Sequence, residues 1–356
     1  MSTNPLIKAL AIELPIIQAP MAGVGTTALA VAVSEAGGLG SLALGNASVD
    51  TARKKIRQIK AATQKKFNVN FFCHQPAVAN PAKEQRWIEH FTPHFTDFSS
   101  TPPQRLECDY QSFIENSKML AMLLEERPPV VSFHFGLPSK TTINALKEAG
   151  IYLLACATSL KEALMIEQAG LDAIIAQGYE AGGHRGIFDA NQDLQLGLPC
   201  LLQILKQHCK LPIVATGGIM NGSSIASTML LGASAAQLGT AFLLCPESAT
   251  NASYRANLKS NQTYTTKITS YISGRPARGL ANRFYTLPEQ LATDLPDYPI
   301  AYSLGKALGA AANTVDCIDF SAHWAGQAVP LIREMPAALL VKTLEQERLI
   351  ALQNRS

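Results

Sequence analysis

Charge is scarce in this chain. Of its 356 residues only 16% are Asp, Glu, Lys or Arg, and the formal net charge is +3. So small an excess, with no basic run, excludes the electrostatic footprint of a nucleic-acid binder. Long apolar runs are missing as well. No stretch reaches the roughly 18 uninterrupted apolar residues of a membrane helix, so no span and no membrane partner is expected. The seven cysteines (Cys73, Cys108, Cys156, Cys200, Cys209, Cys245 and Cys317) never form a Cys-x-x-Cys pair. Odd in number and scattered, they fit neither a disulfide framework nor a zinc ribbon. Residues 1–12 lack the charged and apolar regions of a secretory signal, and a reducing cytoplasm is the expected home. There is no repeat of solenoid length. What is abundant is apolar surface, 47% of residues, which allows a sizeable core and argues against disorder.

That apolar surface is divided into short runs. Eight of them read as strands, at residues 14–21, 39–44, 67–72, 130–135, 152–157, 173–177, 211–216 and 235–238. Helical patterns fall between them at 27–36, 49–62, 140–149, 159–169, 198–207 and 223–231. Such alternation demands parallel pairing with helical crossovers. Eight units match the (β/α)8 TIM barrel, an α/β fold whose functional groups gather at the C-terminal strand ends. Residues 1–247 would form the barrel. An excursion at 73–129, with helix-like stretches at 82–90 and 105–126, is too long for a simple connection. Residues 248–320 read as a helical and irregular segment capping the barrel mouth on the substrate side, and 321–356 as C-terminal helices packing back on the barrel.

The chemistry is expected where the sixth strand ends, in Gln177-Gly178-Tyr179-Glu180-Ala181-Gly182-Gly183-His184. Glycines let backbone approach a ligand closely, with one histidine exposed among N–H groups; a tight turn with a surface histidine is the plain alternative. The seventh and eighth strands end in Ala215-Thr216-Gly217-Gly218-Ile219 and Gln237-Leu238-Gly239-Thr240-Ala241, the positions that cradle a phosphate in this fold. A third glycine pattern, Gly23-Val24-Gly25-Thr26-Thr27-Ala28, would suit a dinucleotide. The next strand, however, ends in Leu44-Gly45-Asn46 with no carboxylate before Asp50, where a ribose would need one. His90 and His94 stand four apart, but Pro93 should break the helix that would align them, and no metal set can be assembled. His134 sits near the end of the fourth strand and could reach the mouth or be a buried, hydrogen-bonded core residue. Tyr298, Tyr302 and Lys306, four apart after a start at Pro299, would lie on one helix face as an aromatic wall with a terminal ammonium, or would simply pack.

Laid out in order, these stretches resemble the nitronate monooxygenase family, formerly called 2-nitropropane dioxygenases. Gln18-Ala19-Pro20-Met21-Ala22-Gly23-Val24, Asn68-Val69-Asn70-Phe71-Phe72, Val131-Ser132-Phe133-His134-Phe135-Gly136 and Gly274-Arg275-Pro276-Ala277-Arg278-Gly279 extend the match over most of residues 14–281. The resemblance implies an FMN-dependent barrel. Ala22, Asn70 and Gln177 would contact the isoalloxazine or ribityl region. Gly182, Gly218, Gln237, Gly239 and Thr240 would hold the ribityl chain and phosphate, with Gly183, Gly217 and Leu238 in the same loops. It further implies oxidation of an anionic nitronate, such as propionate 3-nitronate, by O2 to a carbonyl compound and nitrite without NAD(P)H, a detoxifying reaction. His184 would be catalytic, as a charged donor when protonated or a base when neutral. Tyr110, His134, Tyr298, Tyr302 and Lys306 would form the substrate pocket. The rival readings are an FMN-dependent enoyl-thioester reductase using NAD(P)H and a catalytically silent flavin scaffold.

Overall fold

A computed structural model describes residues 4–108, 110–260 and 265–353. Residues 1–3, 109, 261–264 and 354–356, which the segment expectations also covered, lie outside the described residues. Strands β1 (Ile16–Gln18), β2 (Gly40–Ala43), β3 (Phe67–Phe72), β4 (Val130–His134), β5 (Tyr152–Ala157) and β6 (Ala173–Gln177) come first. The two-residue β7 (Gly183–His184) follows, then β8 (Ile213–Thr216) and β9 (Ala235–Leu238). All except β7 belong to one parallel sheet, in the order β1-β9-β8-β6-β5-β4-β3-β2. Its two ends meet: the Gln18 N–H donates to the Leu39 carbonyl at 2.9 Å and the Leu39 N–H to that of Ile16 at 3.0 Å. The sheet is thus a closed (β/α)8 barrel, and its strands read as apolar runs because both faces are covered.

Helix α1 (Pro5–Leu10), which the sequence pattern did not reveal, buries Leu6 and Leu10 against Ile17, Leu39, Val130, Ala173, Val214 and Ala235 at the N-terminal end of the barrel. The outer ring contains α2 (Thr27–Glu35) and α3 (Val49–Ala62). The excursion then supplies α4 (Pro81–Asp97) and α5 (Ser117–Glu126), before α6 (Lys140–Glu148), α7 (Leu160–Ala169), α8 (Leu198–His208) and α9 (Gly222–Leu230). Side-chain caps define where several begin: Ser48, Ser139, Ser159 and Asn221 each accept a backbone N–H from the first turn. After β9 come α10 (Ala252–Leu258), strands β10 (Thr266–Thr269) and β11 (Ala277–Leu280), α11 (Ile300–Asn313) and α12 (Ala337–Gln353). Helix α12 packs against both α9 and α2, completing the ring.

The excursion departs from expectation in two ways. Helix α4 runs straight through Pro93, so His90 and His94 do share a helix. Its Trp87, Ile88, Phe91 and Phe95 are buried with Phe284, Leu304, Leu308 and Phe320 in a second core. Burial of four large side chains outweighs the roughly 3 kcal/mol of an internal proline. No metal-binding group of His, Cys, Asp or Glu occurs among the described residues. The expected helix at 105–126 shrinks to α5, preceded by a short turn at Phe113–Glu115. Asn116 starts the helix by accepting the Met119 N–H at 2.9 Å, while the Glu107 N–H is held by Ser303 of α11.

The segment after the barrel is more than helical. Strands β10 and β11 pair antiparallel, and β11 pairs with β7, opposing Ala277 to His184. This small sheet fixes the glycine loop over the barrel mouth.

Candidate active site

A cavity of about 640 Å³ opens at the C-terminal ends of the barrel strands. It is lined by Ala22 after β1, Asn70 of β3, His134 ending β4, Gln177 ending β6, and Gly182, Gly183 and His184 of the glycine loop. Gly217 and Gly218 after β8 and Gln237, Leu238, Gly239 and Thr240 at the end of β9 continue the lining. Tyr110, Tyr298, Tyr302 and Lys306 close it from above. The sequence-picked residues, spread over nearly 300 positions, therefore surround one space.

One side of that space is built from backbone. The turn after β8 has φ of +124° at Gly217 and +67° at Gly218, values that side chains rarely tolerate. The N–H groups of Gly218, Gly239 and Thr240 meet no acceptor among the described residues, although all three residues line the cavity. Unsatisfied N–H groups around a cavity make an anion nest. A side chain at Gly182 would place its Cβ 2.5 Å from the backbone of Ala325 and Gly326. That neighbouring segment is tied down, since Gly326 N–H donates to Thr240 Oγ1 at 3.0 Å and Gln327 N–H to the Glu180 carbonyl at 3.0 Å. Gly182→Ala is accordingly expected to cost about 1–3 kcal/mol of stability, read as a lower denaturant midpoint. An unchanged midpoint would mean that residues 325–326 yield freely.

The opposite side is built from side chains around His184. Its carbonyl accepts from Gln177 Nε2 at 3.1 Å and from His134 Nε2 at 3.3 Å, while its own Nε2 lies 2.8 Å from Ser273 Oγ. Phe135, Tyr298, Tyr302 and Trp324 ring it, with centroids 5.7, 5.6, 6.2 and 5.3 Å away. This enclosure has an electrostatic result. Burial, reinforced by His134 and Arg275, pushes the His184 imidazole down to about 3. Burial likewise takes His134 to about 4. Both rings are neutral at pH 7. His134 does line the cavity, yet its Nε2 is committed to holding His184.

Above them stands the tyrosine wall. Tyr110, from the excursion, lies 6.1 Å from Tyr302 and 6.5 Å from Tyr298. Lys306 Nζ sits 4.8 Å from the Tyr110 ring centre and 5.5 Å from that of Tyr302, within cation–π range. Tyr302 and Lys306 share a face of α11, but Tyr298 does not, because Pro299 is the N-cap and Tyr298 precedes it. Burial, with Tyr110 nearby, holds the Tyr298 phenol well above its usual value and pushes Tyr302 up to about 12. Both remain hydrogen-bond donors at neutral pH.

Several groups that build the site escaped sequence reasoning. Arg185 is wholly buried and forms a two-pronged pair with Asp193 at 2.9 and 3.0 Å. It also donates to Gln177 Oε1 at 3.2 Å and to the Gly178 carbonyl at 2.9 Å. Gln177 Oε1 further accepts the Gly186 N–H at 2.8 Å, so its amide serves the loop on one side and faces the cavity on the other. Glu180 accepts the Leu198 N–H at 3.0 Å and seats the loop on the start of α8. Arg278 donates twice to the Tyr179 carbonyl, at 3.1 and 2.9 Å. The only sequence signal for the last was its place in the Arg-Pro-Ala-Arg stretch; its register beside β7 is a tertiary fact.

Comparison with known proteins agrees with this geometry. The family model described as nitronate monooxygenase matches residues 3–347. A nitronate monooxygenase from Paraburkholderia phytofirmans is 53% identical over 344 residues, covering 96% of this chain and 94% of that protein. Among solved structures, the nitroalkane oxidase from Streptomyces ansochromogenes superposes with a TM-score of 0.90 at 37% identity, covering 99% of each chain. FabK from Thermotoga maritima follows with a TM-score of 0.76 at 27% identity, covering 100% of this chain and 99% of its own. A whole-length family match, a majority-identical relative and a common barrel leave one conclusion: the chain belongs to the nitronate monooxygenase family.

Proposed function

We propose that this enzyme oxidises alkyl nitronates with O2 to a carbonyl compound and nitrite, using bound FMN and no nicotinamide. The observation that carries the reading is the pairing, in one cavity, of a backbone N–H nest with an imidazole clamped inside an aromatic cage. The nest fits a single phosphate: N–H groups of Gly218, Gly239 and Thr240, without an acceptor among the described residues, supply donors, and glycine at 182, 217 and 218 leaves room for close approach. Ala22, Asn70, Gln177, Gly183, Gln237 and Leu238 line the space between nest and cage, where the rest of FMN would be held. When bound, the flavin supplies the electron acceptor for the nitronate and the route of those electrons to O2.

The protein's own groups bind and orient the anion. Protonated phenols at Tyr298 and Tyr302 offer donors, and Lys306 offers a positive charge at the wall. That charge suits a nitronate bearing a carboxylate, such as propionate 3-nitronate. His184, pushed to about 3, is a weak base toward a neutral nitroalkane, since an efficient base titrates near the working pH. An approaching anion reverses the balance by favouring the protonated ring. The preformed nitronate is therefore the better substrate.

The test is aerobic turnover of propionate 3-nitronate, following oxygen uptake and nitrite with no nicotinamide present. Steady nitrite release is the expected result. Activity only after addition of NADPH and an enoyl thioester would transfer the assignment to the reductase class. Colourless protein unable to take up FMN would remove both enzyme readings. A cytoplasmic location belongs to the same proposal; no helix among the described residues is long and apolar enough to cross a membrane.

A further inference from the structure

Ser273 is wholly buried and belongs to no site that the sequence suggested. Its hydroxyl has three partners. The Arg275 N–H points at Oγ from 3.3 Å, the Arg275 carbonyl lies 3.2 Å away, and His184 Nε2 lies 2.8 Å away. A hydroxyl has one proton to give and two lone pairs to receive with. The backbone N–H can only donate and takes one lone pair. The carbonyl can only accept and takes the proton. One lone pair is left for the imidazole, which must then bring its own proton on Nε2. No other assignment satisfies all three contacts. The second ring nitrogen, Nδ1, makes no hydrogen bond to a described residue and is not sealed from the cavity that His184 lines.

We propose that Ser273 is a positioning residue that keeps the proton of His184 on Nε2, so that Nδ1 faces the ligand and carries all proton exchange with it. The surroundings make such a device necessary. The groups facing the ring are His134, Tyr298, Tyr302, Trp324, Phe135 and the nearby Arg275. Arg275 is a buried residue whose guanidinium lies 4.5 Å over the Phe135 ring and makes no ion pair among the described residues. A neutral imidazole in that field has two tautomers of opposite polarity, an acceptor or a donor toward the ligand. Without Ser273 no other described residue bonds Nε2 to select between them. With it, Nε2–H is retained in the neutral ring and in the imidazolium, so only the atom facing the cavity gains or loses a proton. The functional consequence rests on the nitronate oxidase reading; the tautomer itself does not.

The experiment uses flavin-loaded protein labelled with 15N-histidine. Multiple-bond 15N–1H correlation reads the protonation of each ring nitrogen, and the His184 signals are identified by their loss in His184→Gln. A protonated Nε2 and bare Nδ1 are expected in the native protein at pH 7 and in Ser273→Thr, which keeps the hydroxyl. Ser273→Ala should show a mixture or the opposite tautomer. Its kcat for propionate 3-nitronate should fall at least about tenfold, part of the roughly 10²–10⁴ that a positioned acid–base group supplies, with KM changed less. Ser273→Thr should recover most of that loss. A native Nδ1–H signal overturns the proposal even if Ser273→Ala fails to fold. So does a Ser273→Ala ring with the native tautomer. Native protein that shows the expected tautomer but no nitronate turnover would sink the functional reading alone.

Discussion

His184→Ala is expected to retain flavin and lose roughly 10²–10⁴-fold in turnover of propionate 3-nitronate, the range for removing a positioned acid–base group. The flavin should stay because the nest donors at Gly218, Gly239 and Thr240 are backbone groups on other loops. The turnover should go because no neighbouring ring can stand in. His134 is the nearest imidazole, but it donates from Nε2 to the His184 carbonyl, a bond that survives the substitution and keeps it in place. Its ring is also pushed down to about 4 by burial, so it brings no charge at neutral pH. The pH dependence follows with its sign. Folded His184 is depressed to about 3, so in the free enzyme it is neutral throughout pH 5–8 and should contribute no break to kcat/KM there. A break in that window attributable to His184 would show that its enclosure is looser than the aromatic cage implies. Steady-state kinetics from pH 5 to 9 on both proteins check the point, and equal kinetics would remove His184 from the mechanism.

How much of this was legible before the structure depends on the range of the interactions involved. Strands β4, β5 and β6 announce themselves because each is a mostly apolar run, and covering by helices on one side and the barrel core on the other is a local demand on composition. Counting eight such runs was enough to place the glycine loops together. Strand β7 could not be read: two residues, Gly183 and His184, have no periodicity, and they become a strand only by pairing with residues more than 90 positions later. The same holds for Ser273, an ordinary serine until the fold brings it to His184. Pro93 misled for the converse reason, since a local rule about its missing N–H was overruled by the distant burial of Trp87, Phe91 and Phe95. The tyrosine wall was half legible. Tyr302 and Lys306 follow helical spacing, whereas Tyr298 and Tyr110 arrive on non-helical chain. Sequence spacing thus reached the groups on regular elements and missed those that support them.

Arg185→Ala should be the most damaging single change to the fold of the site, costing about 3–5 kcal/mol, the penalty for breaking a buried ion pair from one side. Arg185 is fully buried and joins five acceptors: both Asp193 oxygens, Gln177 Oε1 and the carbonyls of Gln177 and Gly178. Its loss leaves a partly buried carboxylate unpaired and frees the two ends of the loop that carries His184. Asp193 gives the prediction a second readout. Burial alone would raise its carboxyl, but the hydrogen bond from Arg185 holds it below the usual value of 3.8. A carboxylate depressed in the folded state contributes stability above its unfolded value, and that contribution is lost as pH falls through the folded one. In Arg185→Ala the larger lowering influence disappears, leaving the Gln195 N–H bond against burial, so Asp193 protonates at higher pH and acid unfolding should begin at higher pH than in the native protein. Arg185→Lys should recover little, because an ammonium cannot reproduce the two-pronged contact with Asp193 while reaching Gly178. Denaturant melts at pH 7 and acid titrations followed by circular dichroism measure both effects. A variant with native stability and an unshifted acid midpoint would show that the loop is held by Glu180 and the β7–β11 pairing without Arg185.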